Sequence, residues 1–189
     1  VVDDLGEGGY DTAAPDLFWR AAPNIVLNPG KDEDRARAMQ LNENLDQDLA
    51  IADCDSVVKA LRQDLGEGAK VGAVGYCLGG RLAYLLATRT DIDAAVGYYG
   101  VAIDAWLSEA ADIRKPLLLH IAGDDHLCPP SVQRTIVETL RERAPLAEVH
   151  VYEGAGHGFA RAGTPAYHAQ AAELADQRTK AFLARHVAG

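Results

Sequence analysis

Val71-Gly-Ala-Val-Gly-Tyr-Cys77-Leu-Gly-Gly80 decides how this chain is read. An apolar strand runs into Gly-x-Cys-x-Gly and then into a helix. That is the layout of a nucleophile elbow, with cysteine where serine is usual. The turn is tight, and Gly75 and Gly79 are expected to remove the Cβ atoms that would collide where the chain doubles back. The sulfur then sits over the first turn of a helix, where the dipole and free N–H groups favour a thiolate. The stretch points to an enzyme.

Outward from the elbow, apolar periodicity predicts alternating strands and helices. Leu41, Leu45, Leu49, Ala52, Val57, Leu61 and Leu65 recur at helical spacing, giving one long or broken helix over 34–65 that Gly66 and Gly68 stop. Strands are expected at 70–76, 93–99, 116–122 and 148–152. The third is continuous in apolar residues, as parallel strands are. Helices are expected from 78 to about 88, from Pro129-Pro130 to about 144, and from about 165 to 187. The connection over 101–115 holds a short amphipathic turn. Residues 18–34, rich in Pro, Asn and Gly, read as a long loop. Residues 1–10 resemble the last turns of a helix running into a strand, and 10–17 lead into a Pro-Asp turn. The expected fold class is α/β, a mostly parallel sheet covered by helices on both faces. The 189 residues suit one domain spanning 1–189, with an upstream segment expected to precede it.

Composition narrows the function. With 18 Lys plus Arg against 28 Asp plus Glu, the net charge of -10 disfavours nucleic acid and anionic membrane surfaces as partners. It leaves room for an anionic small substrate, which one local arginine can hold. No apolar run reaches the roughly 18 residues that span a bilayer, and no signal peptide is visible. Cys54, Cys77 and Cys128 are odd in number and lack zinc-like spacing, so reduced thiols in a cytoplasmic protein are expected.

In parallel sheets, chemistry gathers at the carboxyl ends of strands. Cys77, the pair Asp124-Asp125 and His157 each follow a different predicted strand. Their order of nucleophile, acid and histidine is that of α/β-hydrolases. A histidine near neutral pKa can take the thiol proton and later activate water, while a carboxylate holds its tautomer. Each residue has a plainer reading: a small buried cysteine, an aspartate turn before Pro129, a surface-loop histidine. Their joint placement favours the triad. His120, Asp124, Asp125, His126 and Cys128 crowd one segment without a familiar ligand spacing, so neither metal nor cofactor is expected. The glycines at 72, 75, 79 and 80 match no dinucleotide or phosphate loop.

On these residues the chain resembles the dienelactone hydrolase family. The matches are Gly75-Tyr-Cys-Leu-Gly-Gly80, Val96-Gly-Tyr-Tyr-Gly100, Gly123-Asp-Asp-His126 with Pro129, Tyr152 through Arg161, and Pro15-Asp-Leu-Phe-Trp-Arg20. The resemblance implies an α/β-hydrolase fold and a triad of Cys77, Asp125 and His157. It implies Arg35 and Arg161 as the grip on a substrate carboxylate, Tyr99 as a pocket wall, and the Leu78 N–H as an oxyanion donor. Arg81 reads as structural or surface. Met39 and Asn42 stand where the family often has aromatics. A central strand and a glutamate-containing turn that carry the family's second oxyanion donor would precede residue 1. The implied reaction is hydrolysis of a lactone or a small carboxylate-bearing ester by a monomer or weak homo-oligomer. A non-catalytic or redox-sensing protein with a reactive thiol is the alternative, and a cysteine peptidase ranks below it.

Overall fold

The computed structural model describes residues 2–28, 30–66 and 68–188. They fall into two compact units, Val1–Ala60 and Leu61–Gly189.

The first unit opens with helix α1 (Val2–Glu7), followed by irregular chain. No strand forms over the described residues 8–28, contrary to the expectation there. Pro15 has no N–H to offer a sheet. The Asp16 carboxylate instead gathers the N–H groups of Phe18 (3.1 Å) and Asn24 (2.8 Å) into a turn. Asp53 accepts the Trp19 indole N–H at 3.0 Å and pairs with Arg20, whose guanidinium lies 4.4 Å from the Trp19 ring. The helical stretch is broken into α2 (Asp32–Glu43) and α3 (Gln47–Leu65). Asp46 causes the break: its Oδ1 accepts the N–H groups of Asp48 and Leu49, both at 3.0 Å, and so starts a new helix. Gly66 ends α3 at φ +105°.

The second unit carries four parallel strands, β1 (Gly72–Tyr76), β2 (Ala94–Tyr98), β3 (Leu117–Ala122) and β4 (Ala147–Tyr152), lying side by side in chain order. Helix α4 (Leu78–Arg89) follows β1, a 3₁₀ segment (Ile103–Asp112) follows β2, α5 (Pro130–Arg143) follows β3 and α6 (Ala169–His186) closes the chain. Strands β2 and β3 are buried at every position, which explains their unbroken apolar runs. Alternation along the strands separates the two faces. Gly75 and Gly97 approach the start of α4, whereas His120 and Tyr98 bond to Thr179 of α6. Helix α6 begins later than the periodicity suggests. Tyr167 N–H closes a turn on Thr164, and the imidazole of His168 accepts the Ala171 N–H as the cap.

The glycine requirement at the elbow differs from the sequence reading. A Cβ on Gly79 would meet nothing within 4 Å, so Gly79 is not needed for clearance. A Cβ on Gly75 would lie 1.9 Å from the Gly79 carbonyl oxygen, and one on Gly80 2.7 Å from the Tyr98 carbonyl oxygen. Strand, turn and helix therefore touch backbone to backbone at Gly75 and Gly80. Gly75→Ala is expected to lower the urea midpoint by the equivalent of about 3 kcal/mol or more, because the atoms it strikes are main chain. Gly79→Ala, in open space, should cost less than about 1 kcal/mol in the same measurement.

Candidate active site

Cys77 is the turn itself. Its backbone sits at φ +55°, ψ −113°, a region in which an L side chain is strained. Three hydrogen bonds hold it there. Its N–H donates to the Tyr98 carbonyl at 3.0 Å, and its carbonyl accepts from the N–H groups of Arg81 (3.2 Å) and Val101 (3.4 Å). All three cysteines are free, but only Cys77 is partly open. Burial pushes the Cys54 and Cys128 thiols up to about 11.

The loops after β3 and β4 are stitched together by backbone bonds. Gly123 and Ala155 N–H groups both reach the Tyr152 carbonyl, and Asp124 N–H reaches the Ala155 carbonyl at 2.9 Å. Asp125 lies within this weave, 4% exposed, with Oδ1 accepting the Leu127 N–H at 2.8 Å. Its Oδ2 faces His157 Nδ1 at 2.7 Å. Asp124, the other candidate of the pair, is exposed. Phe159, wholly buried against Tyr99 (5.3 Å between ring centres) and Tyr152 (5.1 Å), anchors the loop that carries His157.

With Nδ1 committed to Asp125, the other ring nitrogen of His157 is free of that carboxylate, and Cys77 is near enough to influence the ring. Burial is the largest single influence on this imidazole and disfavours its charged form. The influence of nearby Cys77 and the hydrogen bond and charge of Asp125 together overcome it, raising His157 to about 9. His120 goes the opposite way. Buried in β3 beside His150 and Arg178, it is pushed down to about 3, chiefly by desolvation.

The two histidines bracket the stability of the fold. Taking 6.5 as the unfolded value, His120 contributes fully above pH 6.5 and loses its contribution as pH falls toward about 3. His157 contributes fully below pH 6.5 and loses its contribution as pH rises through about 9. The urea midpoint is expected to peak near pH 6.5. On the acid side the slope from His120 alone approaches ~1.4 kcal/mol per pH unit. A midpoint still climbing from pH 6.5 to pH 4 would contradict this.

Tyr99 stands edge-on to His157 with ring centres 5.1 Å apart, and the exposed Arg161 is close enough to act on its hydroxyl. Leu78 is the first residue of α4, where an N–H has no acceptor within the helix. Cys77, Asp125, His157, Tyr99 and Arg161 are thus brought together. Arg35 belongs to the first unit, where it is exposed and pairs with Asp32 in the first turn of α2. Met39 and Asn42, also on α2, are exposed.

Arg81 is not a surface residue. It is half-buried beside Cys77, and its Nε has no hydrogen-bond partner among the described residues. Tyr76, stacked on Tyr98 at 4.6 Å, and the anchor Phe159 escaped the sequence reading, because an aromatic in an apolar run reads as core. A cavity of about 10 Å³ lies behind Asp125, lined by Tyr99, Leu119, Cys128 and Ile136. It has room for about one water, so an organic substrate has to approach from elsewhere. Among the described residues no three His, Cys, Asp or Glu side chains cluster as metal ligands. Nor is any described helix long and apolar enough to cross a membrane.

The model of the dienelactone hydrolase family matches residues 1–187. A carboxymethylenebutenolidase of Pseudomonas putida is 39% identical over 184 residues, covering 97% of this chain and 78% of that protein. Another from Rhodococcus opacus is 30% identical, covering 97% and 73%. Among solved structures, a Klebsiella pneumoniae protein assigned to the dienelactone hydrolases superposes with a TM-score of 0.78 at 25% identity, over 90% of this chain and 73% of that one. A Pyrococcus furiosus esterase, at 21% identity and a TM-score of 0.60 over 74% and 63%, shares the fold. Sequence and architecture agree: the chain belongs to the dienelactone hydrolase family and is a hydrolase of carboxylic esters or lactones with the α/β-hydrolase fold.

Proposed function

We propose that the chain hydrolyses a lactone or small ester bearing a carboxylate, through a Cys77-His157-Asp125 triad and a thioester. The observation that carries this reading is the His157 imidazole, held by Nδ1 at 2.7 Å from the buried Asp125 carboxylate and close enough for Cys77 to act on it. His157 takes the Cys77 proton, and the sulfur adds to the substrate carbonyl. The Leu78 N–H supports the oxyanion. The C–O bond then breaks and the enol or alcohol oxygen takes the proton from His157, departing from an ester and staying tethered to the acyl chain of an opened lactone. In the second half His157 removes a proton from water, hydroxide adds to the thioester, and the C–S bond breaks to return Cys77 and release the acid. Asp125 keeps the imidazole proton on Nδ1 throughout.

Arg161 and Arg35 are the proposed carboxylate grip, since a guanidinium donates two parallel hydrogen bonds to a carboxylate. Tyr99 walls the pocket. The same reading takes residues 1–189 as one domain working in the cytoplasm with reduced thiols, as a monomer or weak homo-oligomer. The test compares a carboxylate-bearing enol lactone with its methyl ester. The acid form should have the higher kcat/KM by about 10-fold or more, the worth of one charge-assisted hydrogen bond. Arg161→Met should erase most of that preference. Equal values for acid and ester in the wild type would remove the anionic substrate from the reading.

A further inference from the structure

Thr179 lies in the middle of α6, 4% exposed, far along the chain from any residue of the triad. A buried hydroxyl needs partners, and this one has two. His120 Nε2 is 2.9 Å away and Tyr98 Oη 2.6 Å away. His120 is itself fully buried, with Nδ1 at 2.7 Å from the Tyr152 hydroxyl, which in turn lies 3.1 Å from Arg178 Nη1.

The direction of this chain follows from its ends. Arginine only donates, so the Tyr152 oxygen accepts from Arg178. Tyr152 is 5% exposed, and the acceptor within reach of its own proton is His120 Nδ1. The one proton of neutral His120 is therefore on Nε2 and goes to Thr179 Oγ1. Thr179 and Tyr98 share the last bond. The chain runs Arg178, Tyr152, His120, Thr179, Tyr98.

Its far end is the backbone that holds the site. Tyr98 stacks on Tyr76, next to Cys77, and its carbonyl accepts the Cys77 N–H at 3.0 Å. The next residue, Tyr99, sits at φ +36°, strained for a tyrosine, with its N–H on the His120 carbonyl at 2.7 Å. Such a conformation persists only where the surroundings over-determine it. The Tyr99 ring packs across the His157 ring with centres 5.1 Å apart, nearer than the His126 ring at 6.4 Å. We propose that Thr179 is a positioning residue: through the Tyr98 hydroxyl it pins the Tyr98-Tyr99 bend, and the bend holds the His157 imidazole in line with Cys77. This rests on the triad reading above.

The test uses Thr179→Val, Thr179→Ser and Tyr98→Phe, assayed well below each variant's Tm. Thr179→Val and Tyr98→Phe should each lower kcat about 10-fold with KM nearly unchanged, the scale expected of a small misplacement. Thr179→Ser should return kcat to within about 3-fold of wild type. The double variant should lose far less than the product of the two single losses, because one path is being cut twice. Nitrogen-15 spectra of the wild type should show His120 protonated on Nε2, and Tyr152→Phe should release that tautomer.

A lowered Tm with wild-type kcat in Tyr98→Phe makes the chain merely structural and overturns the proposal. So does His120 protonated on Nδ1, or fully multiplicative losses in the double variant. Tyr98→Phe removes a single oxygen and carries the test if Thr179→Val does not fold. Cys77→Ala is the control: if it keeps turnover, the triad reading falls, whereas an inactive Cys77→Ala beside a fully active Tyr98→Phe overturns only the role of Thr179.

Discussion

Cys77→Ala is expected to reduce hydrolysis of enol lactones and activated aryl esters by about 10⁴-fold or more, with no change in the thermal midpoint beyond about 1 °C per few tenths of a kcal/mol of lost contact. The size of the loss follows from covalent catalysis: without a sulfur no thioester forms, and what remains is the carbonyl polarisation from backbone N–H groups. Cys54 and Cys128 offer no substitute, being buried with thiols raised to about 11. Alanine at 77 also keeps the backbone bonds to Tyr98, Arg81 and Val101, so the turn should persist. Burst kinetics with an aryl ester add a second readout, since wild-type acyl-enzyme should accumulate where deacylation is slow, and none should form in the variant. Undiminished turnover would end the triad reading.

Asp125→Asn should be nearly as severe, and for a reason visible in the hydrogen bonds. Oδ1 of Asp125 accepts the Leu127 N–H at 2.8 Å while Oδ2 faces His157 Nδ1 at 2.7 Å. An asparagine keeps its carbonyl toward Leu127, which turns its NH₂ toward Nδ1. That nitrogen must then accept, and the imidazole proton moves to the nitrogen facing Cys77. The base presents a proton where it needs a lone pair. A kcat loss of about 10⁴-fold is the expected scale for a wrong tautomer. The same substitution removes one of the influences that raise His157, so its titration should move below about 9. Nitrogen-15 spectra of His157 and the kcat profile against pH check both effects. An Asp125→Asn variant within about 10-fold of wild type would show that the carboxylate does not govern the tautomer.

How much of this was legible beforehand depends on the range of the forces involved. The elbow could be read because its requirements are local: an apolar strand, glycines and a helix start within ten residues. Even there, Gly79 was assigned a clearance that belongs to Gly80, since only the crossing of α4 over β2 decides which Cβ would strike the Tyr98 carbonyl. The positions of β1 to β4 and of α4 to α6 followed from periodicity to within a few residues, whereas the order of the strands in the sheet came only with the structure. The expected strand after α1 failed because Asp16 offered the chain a turn. Arg81 read as either structural or surface, and nothing in its sequence neighbours decides that it lies half-buried beside Cys77.

The order of nucleophile, acid and base along the chain, the parallel α/β layout and the family were determined by the amino-acid sequence alone, because each is written in residue types at short spacing. Tertiary structure alone decided the pairing of His157 with Asp125, the raised pKa of that imidazole and the buried chain from Arg178 to Tyr98. Those depend on groups 32, 59 and 81 residues apart in the pairs His157–Asp125, His120–Thr179 and Tyr98–Thr179. Hydrogen bonding and desolvation act through space over a few ångströms, and a linear sequence does not say which distant residues will share that space.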